Sequence, residues 1–350
     1  MGKPFAKDIE NIAHTLEWAF TEPVNPFLEK MVSSLSDLPL FVVGSGGSLS
    51  CAHFIARLHE QSTGKMCRAI TPFELLFLGV NPSLHGILFI TAGGNNKDII
   101  NATEVAIKQE FAQIAISCST IGSKIAALSK AYSYICLFEY DNPTGKDGFL
   151  AVNTLLSTCA LFTKAYGAID TAKATRQIQQ LTDVKPDFLN ETWEDVLNRN
   201  TIVALGGEWS WPALTDFESK CTEAGLRNVL ITDLKNFSHG RHNWFDKKGD
   251  ESALVILETP PLATLTKRIT TLLPPQYPRA IISTQHTGPL ATIDLFIQIF
   301  YLVQRIGILS RTDPGRPRVP EFGRKMYHIG LPLSSLRKIN SVIRTSSKLF

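Results

Sequence analysis

An α/β protein with two doubly wound parallel sheets is what this 350-residue sequence predicts. Three observations carry that expectation. The chain is longer than one hydrophobic core usually organises. Short, continuously apolar runs alternate with helical segments, the texture of parallel strands covered on both faces. The order strand, glycine turn, helix occurs twice, near residues 38–61 and again from 201, which suggests a duplicated unit.

Residues 1–36 read as helical, with Ile9, Ile12, Leu16 and Phe20 on one face and Pro23 and Pro26 ending the pattern. Buried strands are predicted at 38–43, 67–71, 86–91, 113–117 and 133–139, with helices at about 48–61, 96–110, 121–131 and 147–166. Residues 168–200 are polar and helical. Strands resume at 201–205, 228–232, 253–258 and 279–284, and a long helix at 289–307 closes the pattern. The expected division is a first domain at 1–170 with leading helices, a helical connector at 171–200, and a second domain at 201–350. Its Pro-, Gly- and Arg-rich tail from Arg311 is expected to lie over other structure, and 338–350 reads as a surface extension.

Composition narrows the function. The net charge is +3 and 44% of residues are hydrophobic, so no basic groove for nucleic acid is expected. The six cysteines form no C-x-x-C pair and mostly sit in apolar runs, as small hydrophobes of a reducing, cytoplasmic interior. The N-terminus lacks a signal-like apolar run. Leu290–Leu309 is apolar but interrupted by Asp294, Gln298, Gln304 and Arg305, so a buried core helix rather than a membrane span is expected. No cofactor is implied.

Two turns in the first half sit where strands end and helices begin. Gly44-Ser45-Gly46-Gly47-Ser48 is neither a P-loop nor G-x-G-x-x-G, since no Gly-Lys-Ser/Thr follows and Leu49 stands where the third glycine belongs. It reads either as an anion cradle at a helix N-terminus or as a tight turn. The second, Thr91-Ala92-Gly93-Gly94-Asn95-Asn96-Lys97-Asp98, brings hydroxyl and amide groups to the same sheet edge, and Asn95 or Asn96 reads equally as a helix cap.

In the second half, Leu214, Phe217, Cys221 and Ala224 form an apolar helical stripe, while Asp216, Lys220 and Glu223 form an ionisable one. The ionisable stripe faces either water or a ligand. The loop Ser238-His239-Gly240-Arg241-His242 follows the next strand and is expected to reach the same edge. A zinc site at His239 and His242 lacks a third ligand, so no metal is expected. Trp209 and Trp211 read as packing at a domain or subunit interface ahead of the alternative, sugar-stacking platforms, and Arg316, Arg318 and Arg324 either as a solvated tail or as a closure over an anion.

With these motifs in hand, residues 35–325 resemble the tandem sugar isomerase (SIS) domain family, whose domains are flavodoxin-like three-layer units. The resemblance is to the isomerase half of glucosamine-6-phosphate synthase and to fructosamine deglycases. It rests on GSGGS at 44–48, TAGGNNKD at 91–98, and the ungapped spacing of Asp216, Lys220, Glu223, His239 and Gly240. It implies a homodimer acting on a sugar or sugar phosphate by aldose–ketose isomerisation or deglycation through an enediol. Glu223 matches the acid/base, Lys220 the cation near the substrate oxygens, and Asp216 a shortened family glutamate. His239 matches the ring-opening group supplied across a dimer interface. Ser48 and Thr91 match hydroxyls that hold the sugar phosphate. Ser45, Gly47, Gly94, Asn95, Asn96 and Lys146 are the further candidate substrate-binding residues, with Arg241 placed to bind an anionic substituent. Lys146 belongs to Thr144-Gly145-Lys146, which only loosely echoes the family's Ser-Thr-Lys. Gly93 and Asn96 depart from the family's phosphate-binding serine and threonine, and Lys325 is out of register with the family's C-terminal lysine. No glutaminase-like segment precedes residue 35, so ammonia delivery from glutamine within the chain is not expected. The alternative is a non-catalytic sensor of a carbohydrate derivative.

That chemistry suits the residue types. Proton transfer between sugar carbons needs a partly buried carboxylate beside a cation that stabilises the enediolate oxygen. Ring opening needs a group titrating near neutrality, as histidine does.

Overall fold

The computed structural model describes residues 2–169, 174–183, 186, 188 and 190–332. Part of the expected connector and the whole 338–350 extension therefore lie outside the described residues. The first sheet contains β1 (Leu40–Val43), β2 (Cys67–Ile70), β3 (Gly86–Thr91), β4 (Gln113–Cys118) and β5 (Cys136–Glu139), in the order β2-β1-β3-β4-β5. The second contains β6 (Thr201–Gly206), β7 (Asn228–Asp233), β8 (Ser252–Glu258) and β9 (Arg279–Ser283), in the order β7-β6-β8-β9. Every pairing is parallel. The order reverses at β1 and at β6, so in each sheet a crevice forms beyond the strand that ends in glycine.

The central strands β3 and β6 are buried at every position, as continuous apolar runs require. Helix starts follow local chemistry. Asn96 and Ser123 accept hydrogen bonds from Asp98 N and Ala126 N, and Thr71 forms a reciprocal capping box with Glu74. Each sheet has its own outer core, one around Phe41, Ile87 and Ile116, the other around Val203, Leu254 and Phe245. A third core is shared. Phe54, Leu155, Trp209, Phe217 and Phe300 belong to one cluster that runs from one half into the other.

Two helices make that seam, Gly47–Thr63 from the first half and Trp211–Glu223 from the second, with Pro289–Leu309 packed beside the latter. The 289–309 helix is long and apolar enough to cross a membrane by composition, but most of its apolar residues are buried in the shared core. The tail is laid over other structure and is helical in part. Asp313 Oδ1 accepts from Phe5 N (3.1 Å), Gly315 O accepts from Phe149 N (3.0 Å), and the chain then forms a helix at Glu321–Tyr327.

Candidate functional site

Ser45, Ser48, Thr91, Gly94, Asn95, Asn96 and Lys146 line one cavity of about 470 Å³ at the strand-end edge of the first sheet. The turn after β1 is built for close approach. A Cβ at Gly44 would lie 2.3 Å from Ser48 O, and Gly46 has φ +54° and ψ −133°, a region that disfavours any side chain. Gly46 caps the 47–63 helix without a side-chain hydrogen bond; Ser48 N and Leu49 N donate back to Ser45 O (3.1 Å) and Gly46 O (2.8 Å), which leaves Gly47 N as the donor at the turn. Gly47 lines a narrow adjoining space, where a Cβ would press on Ala151 Cβ at 2.6 Å.

The second turn is rigid. Thr91 Oγ1 accepts from Gly94 N (3.2 Å), while Asn95 donates to Gly93 O (2.8 Å) and accepts from Lys124 N (3.1 Å). Asn96 is a helix cap that also lines the cavity. Its Oδ1 caps the next helix through Asp98 N (2.7 Å), and its Nδ2 donates to Tyr327 OH (3.0 Å) at the cavity rim. Lys146 is exposed and held by its neighbour, since the Asp147 carboxylate accepts from Val152 N, Asn153 N and Thr154 N at 3.0, 3.1 and 2.8 Å. Two helix N-termini with Lys97 and Lys146, against Asp98, favour an anion here.

Glu223 reaches this site from the other half. A Cβ built on Gly46 would sit 3.4 Å from Glu223 Oε1, the same oxygen that accepts from Ser219 Oγ at 2.6 Å. The turn that carries Ser45 and Ser48 is therefore also the turn beside the carboxylate. The glycine turn after β6 lies at the opposite end of the 211–223 helix, and it is the first half's turn that meets Glu223.

The ionisable stripe is not one surface either. Glu223 is exposed, not partly buried, whereas Asp216 and Lys220 are 0% and 2% exposed and paired at 2.7 Å inside the seam. Lys220 Nζ also lies 4.8 Å from the centroid of Phe300. Burial pushes the Asp216 carboxyl above its ordinary range, with Lys220 opposing that rise. Lys220 thus stands behind Glu223 and does not line the cavity.

His239 and Arg241 are exposed on a kinked helical turn after β7, outside this cavity. Glu223 ends a 13-residue helix that starts at the strand-end edge, so about 18 Å of helix separates it from the edge that carries His239. The loop follows β7 at the strand-end edge, where the 211–223 helix starts, and Glu223 lies at that helix's far end, so one copy of the chain does not bring the two together.

Trp209 is 2% exposed and stacks edge-on with Phe54 (5.8 Å), the interface packing expected of it. Sequence reasoning missed Tyr327, His328 and Ile329, which the tail helix delivers to the cavity. Nothing local marks them; only the chain path does. Ser219 was legible in principle, from its four-residue spacing to Glu223.

Two parallel-only sheets with flanking helices make an α/β fold that matches the SIS fold of solved structures. No family model matches the sequence, and no curated protein matches it at the sequence level. Solved structures do match. Tagatose-6-phosphate ketose/aldose isomerase from Escherichia coli is 18% identical, with a TM-score of 0.66 over 91% of this chain and 98% of that one. Glucosamine-6-phosphate deaminase from Thermotoga maritima is 15% identical, with a TM-score of 0.67 over 93% and 100%. The C-terminal domain of glucosamine-fructose-6-phosphate aminotransferase from Francisella tularensis is 11% identical, with a TM-score of 0.65 over 88% and 97%.

Proposed function

We propose that this chain is a sugar-phosphate enzyme that moves a proton between adjacent sugar carbons through an enediol, as an aldose–ketose isomerase or a deglycase. The observation that carries the reading is the meeting of two independently predicted groups. Seven cradle residues line one cavity, and Glu223 from the other half lies against the same glycine turn. The names of the structurally similar proteins, which concern 6-phosphosugars, favour the same substrate class.

In this reading the two helix N-termini and Lys146 hold the anionic end, and Glu223 takes and returns the proton. Lys220 acts from behind, fixing the helix through Asp216. His239 opens the sugar ring in a neighbouring copy, because its own Glu223 is at the far end of the domain. Bound substrate and that second copy supply the burial that Glu223 lacks in the single chain.

The test is turnover of a panel of phosphosugars and fructosamines. The reading expects at least one substrate, with Glu223→Gln inactive while still binding it. No turnover across the panel, or full turnover by Glu223→Gln, overturns it. The sensor reading has one observation in its favour, the sealed Asp216–Lys220 pair, and expects ligand binding without turnover.

A further inference from the structure

The candidate site has a counterpart across the seam. The 47–63 and 211–223 helices lie side by side in opposite directions. Phe54 and Arg57 meet Trp209 at the start of the second helix, and Glu223 at its end meets Gly46 at the start of the first. Counted from Gly44 and Gly206, at each of which a Cβ would meet the residue four further on (Ser48 O at 2.3 Å, Ser210 Oγ at 2.4 Å), Gly44-Ser45-Gly46-Gly47-Ser48 corresponds to Gly206-Gly207-Glu208-Trp209-Ser210. Glu208 holds φ +53° where Gly46 holds +54°, a conformation that costs a non-glycine residue energy. In the same count Gln61 stands where Glu223 stands.

Around this second turn lies a cleft of about 670 Å³, lined by Arg57, Glu60 and Gln61 from the first half and by Glu208, Trp209 and Gly288 among others from the second. The Arg57 guanidinium carbon is 5.9 Å from the Trp209 ring centroid, and its Nε is buried without a hydrogen-bond partner. Among the described residues no ion pair engages Arg57. Gly288, at φ +62°, starts the 21-residue 289–309 helix with no side-chain cap; Pro289 has no N–H and Ala291 N donates to Gly288 O (3.1 Å), which leaves Leu290 N as the first-turn donor beside the cleft. Glu208 is held by one oxygen, which accepts from Thr259 Oγ1 at 3.1 Å, and Glu60 Oε1 is taken by Cys67 N.

We infer that this cleft is a second, non-catalytic binding site for a sugar-type polyol carrying one anionic group. Arg57 and the 289–309 helix N-terminus take the anion. Glu208 and Gln61 hydrogen-bond hydroxyls. Gln61, an amide, stands where Glu223 stands, and the two carboxylates at the cleft are each engaged, Glu60 by Cys67 N and Glu208 by Thr259 Oγ1. The proton-transfer group of the first cavity therefore has no counterpart here, and a ligand is held and not converted. The inference stands whether or not the first cavity is catalytic.

The test uses full-length protein carrying Asn96→Ala and Lys146→Ala, which weakens the first cavity. It is titrated calorimetrically with fructose 6-phosphate and with gluconate, to separate phosphate from carboxylate, and with inorganic phosphate and fructose as controls. Saturable binding of at least one anionic polyol is expected, about tenfold or more tighter than either control. Arg57→Gln should weaken it about tenfold or more, the scale of one lost charge-assisted hydrogen bond. Glu208→Gly relieves the left-handed strain, so it should fold at least as well, and should weaken binding too. Absence of saturable binding, equal binding of fructose, or affinity unchanged in both variants overturns the inference.

Discussion

Breaking the Asp216–Lys220 pair from one side should be far more costly than removing it whole. Both side chains are sealed in the seam at a 2.7 Å separation. At an effective dielectric of about 20, two unit charges at that distance attract by about 6 kcal/mol. Desolvation takes back several kcal/mol per ion, and Asp216 Oδ2 has no hydrogen-bond partner to offset its share. The pair as a whole is therefore near break-even, while a lone member is a buried, uncompensated charge. Lys220→Met and Asp216→Leu are each expected to lower unfolding free energy by about 3–5 kcal/mol, and the double variant to return close to wild type. Denaturant unfolding followed by circular dichroism and tryptophan fluorescence reads these values. Single variants costing under about 1 kcal/mol would refute the reasoning, because that is what a solvated surface pair costs.

Four further outcomes follow from particular contacts. Gly46→Ala places a methyl in a glycine-only conformation beside Glu223, so it should cost about 1–3 kcal/mol of stability by denaturant midpoint and lower turnover. Tyr327→Phe deletes the hydroxyl bonded to Asn96 and should weaken ligand affinity by roughly 2- to 12-fold in calorimetry, the range of one neutral hydrogen bond. Burial holds the Asp294 carboxyl above its usual range, so its protonation stabilises the fold at low pH, and that contribution is lost as pH rises from 3.8 through the folded value. Asp294→Asn should therefore gain stability relative to wild type at neutral pH and lose that advantage below 3.8, as urea titrations across pH would record. Glu223→Gln and His239→Ala, inactive separately, should regain part of the activity when mixed and allowed to exchange copies, since a mixed assembly restores one intact site.

The strands and the cradle were readable because their signals are local. Continuous apolar runs marked all nine strands within a few residues, and glycines followed by serine or asparagine marked both turns that line the first cavity. What the sequence withheld was long-range. The 3.6-residue period places Asp216, Lys220 and Glu223 on one face, but it does not say that this face meets another domain for two turns and solvent for the third. Tyr327 lies in a segment whose route is set by Asp313 and Gly315 binding the N-terminal residues and Phe149, a contact between distant parts of the chain. Glu208 is hidden for a different reason. Its left-handed backbone is held by tertiary packing where local preference would select glycine.

Solvent hydrogen exchange at the reacting carbon tests the central claim most directly. With a ketose phosphate or fructosamine that binds the first cavity, in deuterated buffer, proton NMR should show deuterium entering at the carbon adjacent to the carbonyl with wild-type protein. Glu223→Gln should bind the same compound and show no exchange above the protein-free rate. Exchange by Glu223→Gln at the wild-type rate, or none by wild type with any compound that binds, would contradict it.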